Sequence, residues 1–248
     1  MLKVEGLMVF FENALALNDF SMEIQEGELR GVIGSNSAGK TTLMHALSGL
    51  LVEIKIREER RGGERITILG RILYDGEDIT HMRPPERVRR GVVLCRERHP
   101  IFPESDVLEN LRIAGCRIPG AQRKEGLELA LRLFPQLAAH KGKKAGFLSG
   151  GEQQMLAISM ALVARPKLLL LDEPLLGLSP FMQRHLVEAI GRIKEEARVT
   201  ILVAEQFARP ILPFIDYAYV VENGMVTLSG RGPELMEDPE IKAAYFGV

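Results

Sequence analysis

Nine consecutive residues, Gly34, Ser35, Asn36, Ser37, Ala38, Gly39, Lys40, Thr41 and Thr42, carry groups suited to a chain of phosphates. Their spacing is G-x-x-x-x-G-K-[ST]. Glycine lets a loop curl until successive backbone N–H groups point inward as an anion nest. A helix that opens here adds the positive end of its dipole. The Lys40 ammonium can reach the outer phosphates, and the Thr41 hydroxyl can ligate Mg²⁺.

Two further constellations suit the same chemistry. Leu168, Leu169, Leu170 and Leu171 read as a buried strand ending in the paired acids Asp172 and Glu173. Open α/β sheets bind ligands beyond the carboxyl ends of their strands, so these acids can meet the loop over one phosphate. Side-chain alternation sends the two acids in different directions. That division suits Asp172 to a Mg²⁺ shell and Glu173 to orienting or deprotonating a water. The third group is Ser149, Gly150, Gly151 and Glu152, an S-x-x-E capping box with two glycines at a helix start. It is a second anion-seeking helix tip. One triphosphate has no need of both tips within one subunit, so the economical arrangement is a head-to-tail dimer in which each tip completes the other chain's site.

The elements that must position these groups follow from pattern. Residues 1–33 read as strands, with partial alternation over 2–9 and 20–24 and a buried run from Leu29 to Ile33. A helix is expected over 42–50. Residues 53–65 carry nine charges and a Gly62, Gly63 pair. They read as a solvated surface excursion; the other reading is an exposed hairpin, since 52–56 alternates and two glycines can turn it. Residues 66–69 and 71–75 read as strands, and Pro84 and Pro85 open a short helix to Arg90. A short strand is expected over 92–94, a helix from 107 with Ser105 and Glu109 at its start, and charged helix over 120–145. Further elements are a helix over 149–164, a helix over 181–196, strands over 199–204, 217–222 and 225–229, and short helices over 233–246. Alternating apolar strands and helices imply an α/β fold with a mainly parallel sheet, an antiparallel β side sheet and an inserted helical subdomain.

The whole chain bounds what this machinery serves. It has 248 residues, 46% apolar and 26% charged, enough for one large domain or one with an inserted subdomain. A net charge of −1 gives no global field toward nucleic acid or an anionic membrane. Cys95 and Cys116 form no metal spacing and fit free thiols in a reducing cytoplasm. No apolar run is long enough to span a bilayer, and the N-terminus lacks a basic-then-apolar signal. Any membrane role is expected to come through a partner.

These motifs, in this order, resemble the nucleotide-binding subunit of ABC transporters over nearly the whole chain. The specific pieces are the loop at 34–42, the LSGGE run at 148–152 and LLLLDEP at 168–174. Finer detail is similar to the second ATPase subunit of branched-chain amino acid importers: LSGGEQQMLAI, GLSP at 177–180, AEQ at 204–206 and the run IDYAYVVENGMVTLSG. The resemblance implies a single ABC ATP-binding domain over 1–248. About 1–96 and 165–248 form the P-loop NTPase core with its β side sheet, and about 97–164 hold the Q-loop, helical subdomain and signature helix. It also implies that Phe11 stacks on adenine and that Thr41, Glu97 and Asp172 serve Mg²⁺. Lys40, Glu173 and Gln206 would be the catalytic group, with Glu97 at the Q-loop position and Gln206 at the switch position. Ser149, Gly150, Gly151 and Glu152 would face ATP held by a partner ATPase, in a homodimer or heterodimer. The helix 123–144 and the segment after Glu97 would face a transmembrane permease at the cytoplasmic side of the membrane, with a solute-binding protein served indirectly.

The sequence departs from the family pattern at Ser35 and Ser37, which replace a usual Pro and Gly, at Leu175 and Met160, and in the length of 53–65. None removes a group assigned to the chemistry; Ser37 removes backbone freedom and bears on affinity. Other solutes of the same importer class are urea, amides and other amino acids. Two other classes are a soluble ABC ATPase acting on nucleic acid or ribosomes and a nucleotide-binding regulatory module without turnover. One cassette, no heptad run and two cysteines oppose the first, and Glu173 opposes the second. Glutamine at 206 gains no proton near neutral pH, whereas histidine does, though its amide still donates a hydrogen bond. ATPase activity is therefore expected to show no acid limb near about pH 6–7 from this position, and Gln206→His to introduce one. A histidine variant with the parent's pH profile would count against this.

Overall fold

The alternating N-terminal segment folds as a hairpin in which β1 (Leu2–Phe11) pairs antiparallel with β2 (Ala14–Ile24). The computed structural model describes residues 1–97 and 100–242. Every residue of β3 (Leu29–Ile33) is buried, as expected for a strand covered on both faces, and its one charge, Arg30, donates to Glu28 Oε2 at 2.8 Å and to the Tyr219 hydroxyl at 3.0 Å. The phosphate-seeking loop leads into α1 (Lys40–Ser48), whose last turn stops at Gly49 with φ 79°.

Residues 50–61 then form α2 (Leu50–Arg61), which overturns the hairpin reading of this charged stretch. Leu51 and Val52 are buried, and Ile54 and Ile56 pack partly against the same core. The five-residue alternation was too short to distinguish strand from helix, and Glu, Lys and Arg favour the latter. Gly62, at φ 63°, ends the helix instead of turning a hairpin, and the Gly63 N–H donates to the Glu58 carbonyl at 2.9 Å. The outer half of the helix is solvated, as the charge run implies.

The two strands expected at 66–69 and 71–75 are one, β4 (Ile66–Tyr74). Gly70, at φ 86°, lies against Gly6, at φ 56°, and the β1–β4 register shifts between Glu5 and Met8, so the glycine marks a bulge within one strand. With β5 (Glu77–Asp78) these strands form a four-stranded antiparallel sheet in the order β2-β1-β4-β5.

Next come α3 (Pro84–Arg89) and β6 (Val92–Cys95). The cap of α4 (Val107–Ala114) is Asp106, whose carboxylate accepts from the Glu109 N–H at 2.7 Å, and not Ser105. The charged region is not one helix over 123–144. It divides into α5 (Gly120–Leu133) and α6 (Pro135–Ala139), because Pro135 cannot continue the first, and a 3-10 turn at Ala145–Phe147 follows. The capped helix is α7 (Gly150–Val163), and the strand ending in acids is β7 (Leu168–Asp172). Then come α8 (Pro180–Ala197), β8 (Thr200–Glu205), a 3-10 turn at Leu212–Phe214, β9 (Tyr217–Glu222), β10 (Met225–Gly230), α9 (Gly232–Glu237) and α10 (Pro239–Ile241). The helix expected to reach residue 246 lies partly outside the described residues.

The second sheet runs β10-β9-β3-β8-β7-β6, parallel except for the β10 edge. Successive residues of its strands feed opposite cores. Leu169, Leu171, Ile201 and Val203 pack with α7 and α8, while Leu168, Leu170, Leu202 and Ala204 pack with α1 and the antiparallel sheet. No helix among the described residues is long and apolar enough to cross a membrane.

One buried charge fixes the far end of α1. Arg87, fully buried, donates to the carbonyls of Ala46 and Leu47 at that helix's C-terminus, at 2.6 and 2.8 Å. It also donates to Ile79, Thr80 and Met82 at 2.5, 3.0 and 2.9 Å. Burial lowers its pKa to about 10, with Asp78 opposing. The guanidinium thus satisfies carbonyls that a helix end leaves unpaired and sits at the negative end of the dipole. Arg87→Leu is expected to cost at least about 3 kcal/mol, because several buried carbonyls lose a charged donor at once. Urea unfolding measures this; a loss below about 1 kcal/mol would contradict the assignment.

Candidate functional site

The parallel register places three strand ends side by side. Ile33 of β3 pairs with Glu205 of β8, and Ala204 of β8 pairs with Asp172 of β7. Just beyond, the Gly34 N–H donates to the Glu205 carbonyl at 3.2 Å, and the Glu173 N–H donates to the Ala204 carbonyl at 2.9 Å. The loop and the two acids therefore leave the sheet at one level.

The loop needs its glycines for two different reasons. A Cβ on Gly34 would lie 2.5 Å from the Val221 carbonyl oxygen, so close approach excludes a side chain. Gly39 has φ 102°, and a Cβ there would also lie 2.6 Å from the Ala16 carbonyl oxygen. Ser37 adopts φ 67° without being glycine, a conformation that costs roughly 1–2 kcal/mol in an L-residue. The substitution noted in the sequence thus falls at a left-handed position of the nest.

Lys40 is almost fully buried. Its ammonium donates to the carbonyls of Gly34 and Ser35, both at 2.9 Å, and lies 3.1 Å from Glu173 Oε1. Three donors thus meet three oxygens. The Thr41 hydroxyl donates to Asp172 Oδ1 at 3.4 Å, while Asp172 Oδ2 is buried without a hydrogen-bond partner. Burial raises the Asp172 carboxyl to about 6; the Thr41 hydrogen bond opposes this, and the nearby Glu173 and Glu97 charges add to it.

Both acids thus converge on the loop, where strand alternation alone would separate them. Asp172 is the last residue of β7, and Glu173 lies beyond it with φ 46°, outside the pleat. That left-handed step swings its carboxylate to Lys40, while Asp172 meets Thr41.

Lys40, Thr41 and Glu173 border a cleft of about 420 Å³ lined also by Ala16, Asn36, Ser37, Gly39, Thr42, Glu97 and Leu176; Asp172 is buried behind Thr41 and does not line it. Glu97 faces the loop from the edge of the β6 segment and is half-buried. Ala16 and Leu176 were not marked by the sequence. Ala16 belongs to β2, and its carbonyl oxygen lies close to Gly39 of the loop. A larger cleft of about 720 Å³ lies against α5 and the α8 end. It holds none of the phosphate-seeking groups, so the smaller cleft is the site.

Other expected residues stand apart from this cleft. Phe11 ends β1, half-buried against the core under the antiparallel sheet, and does not line the cleft. Gln206 follows β8 directly, half-buried, and does not line it either. At the start of α7, Ser149 Oγ accepts from the Glu152 N–H at 3.3 Å, and the Glu152 carboxylate takes the Ser149 N–H at 2.8 Å. This is the expected capping box. His140 Nδ1 lies 3.1 Å from the other Glu152 oxygen, and Gly151 packs against Met182 of α8. Ser149 and Gly150 are exposed. The second phosphate-seeking tip is thus built, and none of its four residues lines this chain's own cleft.

Comparison with known proteins gives these features a family. Residues 17–176 match the model of the ABC transporter family. Over 247 residues, all of both chains, the sequence is 35% identical to the high-affinity branched-chain amino acid transport ATP-binding protein BraG of Pseudomonas aeruginosa. It is 31% identical to the probable branched-chain amino acid transport ATP-binding protein LivF of Archaeoglobus fulgidus, over the whole of this chain and 99% of that one. Among solved structures, it resembles the ADP conformation of an ATP-binding cassette of an ABC transporter, with TM-score 0.83, 26% identity and coverage of 100% and 99% of the two chains. A nucleotide-free ATP-binding cassette aligns with TM-score 0.80 at 26% identity, covering 99% of this chain and 98% of that one. The chain belongs to the ABC transporter family and is one of its ATP-hydrolysing cassette subunits.

Proposed function

We propose that this cassette powers an importer of branched-chain amino acids, held at the cytoplasmic face of the membrane by permease subunits and served by a solute-binding protein. Full-length similarity to relatives named for that transport supports the solute. The observation that carries the chemistry is the meeting of Lys40, Thr41, Asp172 and Glu173 at adjacent strand ends.

In this reading the loop N–H groups and the start of α1 bind the phosphates of ATP. Lys40 exchanges its loop carbonyls for phosphate oxygens. Glu173, already beside the lysine, orients the attacking water and accepts its proton. The Gln206 amide donates to the γ-phosphate, and Phe11 stacks on adenine. Ser149, Gly150, Gly151 and Glu152 act on ATP held by a second ATPase subunit, arranged head to tail; the exposure of Ser149 and Gly150 and their absence from their own chain's cleft support this. Closure of that pair drives the permeases.

Thr41 and Asp172, with Glu97 across the cleft, would hold Mg²⁺. The unpartnered Asp172 Oδ2 and the burial-raised carboxyl fit a group that gains from a cation. Among the described residues no cluster of three or more His, Cys, Asp or Glu could hold a metal alone, which fits an ion that arrives with phosphate and water ligands. When bound, the ion neutralises charge on the β- and γ-phosphates.

Two variants test the chemistry. Glu173→Gln is expected to lower kcat by about 10²–10⁴-fold while ATP still binds, since only proton transfer and water orientation are lost. Lys40→Ala is expected to lower ATP affinity or hydrolysis by at least about 100-fold. Full activity in either variant overturns the assignment. The solute is tested by uptake of labelled leucine, urea and short amides in cells that carry the cognate permeases. Leucine uptake that depends on Lys40 supports the reading, and uptake of urea or amides alone replaces the solute.

A further inference from the structure

The buried acid Glu205 has no role in the scheme above. It ends β8, 3% exposed, in the strand between the one that carries the loop and the one that carries the acids. Its backbone carbonyl accepts from Gly34 and its side chain turns the other way, so that Oε1 accepts from the Leu175 N–H at 2.8 Å. Leu175 stands two residues after Glu173.

The turn it holds is under strain. Glu173 adopts φ 46°, which is costly for a residue with a Cβ. Pro174 has no N–H to anchor the segment. The turn's other contacts include the Glu173 N–H to Ala204 bond and a bond from the Leu176 N–H to the Glu173 carbonyl at 3.2 Å. Leu175 is 1% exposed, so its N–H, without Glu205, would be buried and unpaired. We infer that Glu205 is a positioning residue for hydrolysis: by holding the Leu175 N–H it fixes the turn 173–176 and aims the Glu173 carboxylate.

The inference rests on the proposed role of Glu173. Lys40, Glu173 and Asp172 are the charged groups that act on Glu205, and burial raises its carboxyl to about 8. A neutral amide of the same shape keeps the acceptor.

Two volume-filling variants isolate that acceptor. Glu205→Met removes it and Glu205→Gln keeps it, with folding checked by thermal unfolding. Glu205→Met is expected to lower kcat by about 10–100-fold, the scale of a small misplacement of a reacting group, with ATP Kd nearly unchanged. Glu205→Gln is expected to restore most of the rate. In a Glu173→Gln background, Glu205→Met is expected to add no further loss, because the two act through one group. Parent-like kcat in Glu205→Met, an equal loss in Glu205→Gln, or the full loss repeated in the Glu173→Gln background would each overturn the inference. Should the methionine variant unfold, Glu205→Asp keeps the acid but shortens its reach. The same fall in kcat is then expected, and an unchanged kcat overturns the idea. If Glu173→Gln itself hydrolyses ATP at the parent rate, the proposed function fails first. If it is inactive and Glu205→Met is not, only the role of Glu205 fails.

Discussion

Register between three parallel strands is the constraint on which the rest depends. β3, β8 and β7 end within one residue of each other, with Ile33 opposite Glu205 and Asp172 opposite Ala204. A slip of one residue would invert each strand's side chains between the two cores and carry the loop away from the acids. Burial on both faces guards against that slip. The same leucines and valines that fill the two cores therefore hold Lys40, Thr41, Asp172 and Glu173 at bonding distance.

Around this level the chain combines backbone strain with buried charge. Ser37 and Glu173 adopt left-handed backbone, and Lys40, Asp172 and Glu205 are buried. Such features persist where surrounding structure over-determines them. Here hydrogen bonds from neighbouring strand ends do so, and Arg87 secures the far end of α1 in the same manner.

The motifs were legible because their chemistry demands fixed spacing. The loop, the acid pair and the capped α7 stand where the residues imply, and the short, mainly apolar runs form the buried parallel strands. Shorter signals were ambiguous. Alternation over 52–56 is shared by a strand and the start of a helix, and burial of Leu51 and Val52 together with the helix preference of Glu, Lys and Arg selects the helix. Gly70 resembled a break because a glycine bulge and a turn look alike in sequence. That both acids meet the loop was expected from the strand end; the left-handed step at Glu173 that turns its carboxylate to Lys40 was hidden, since a backbone φ has no signature in these residues. Glu205 was hidden too: its partner is a backbone N–H, which has no sequence signature.

The central claim is that residues at these strand ends split ATP with a divalent cation. Single-turnover release of phosphate from γ-labelled ATP, with Mg²⁺ and then with EDTA, tests it most directly. The account predicts phosphate release in Mg²⁺ and bound, uncleaved ATP in EDTA. Equal release in both conditions, or none in either from folded, ATP-loaded protein, would contradict it.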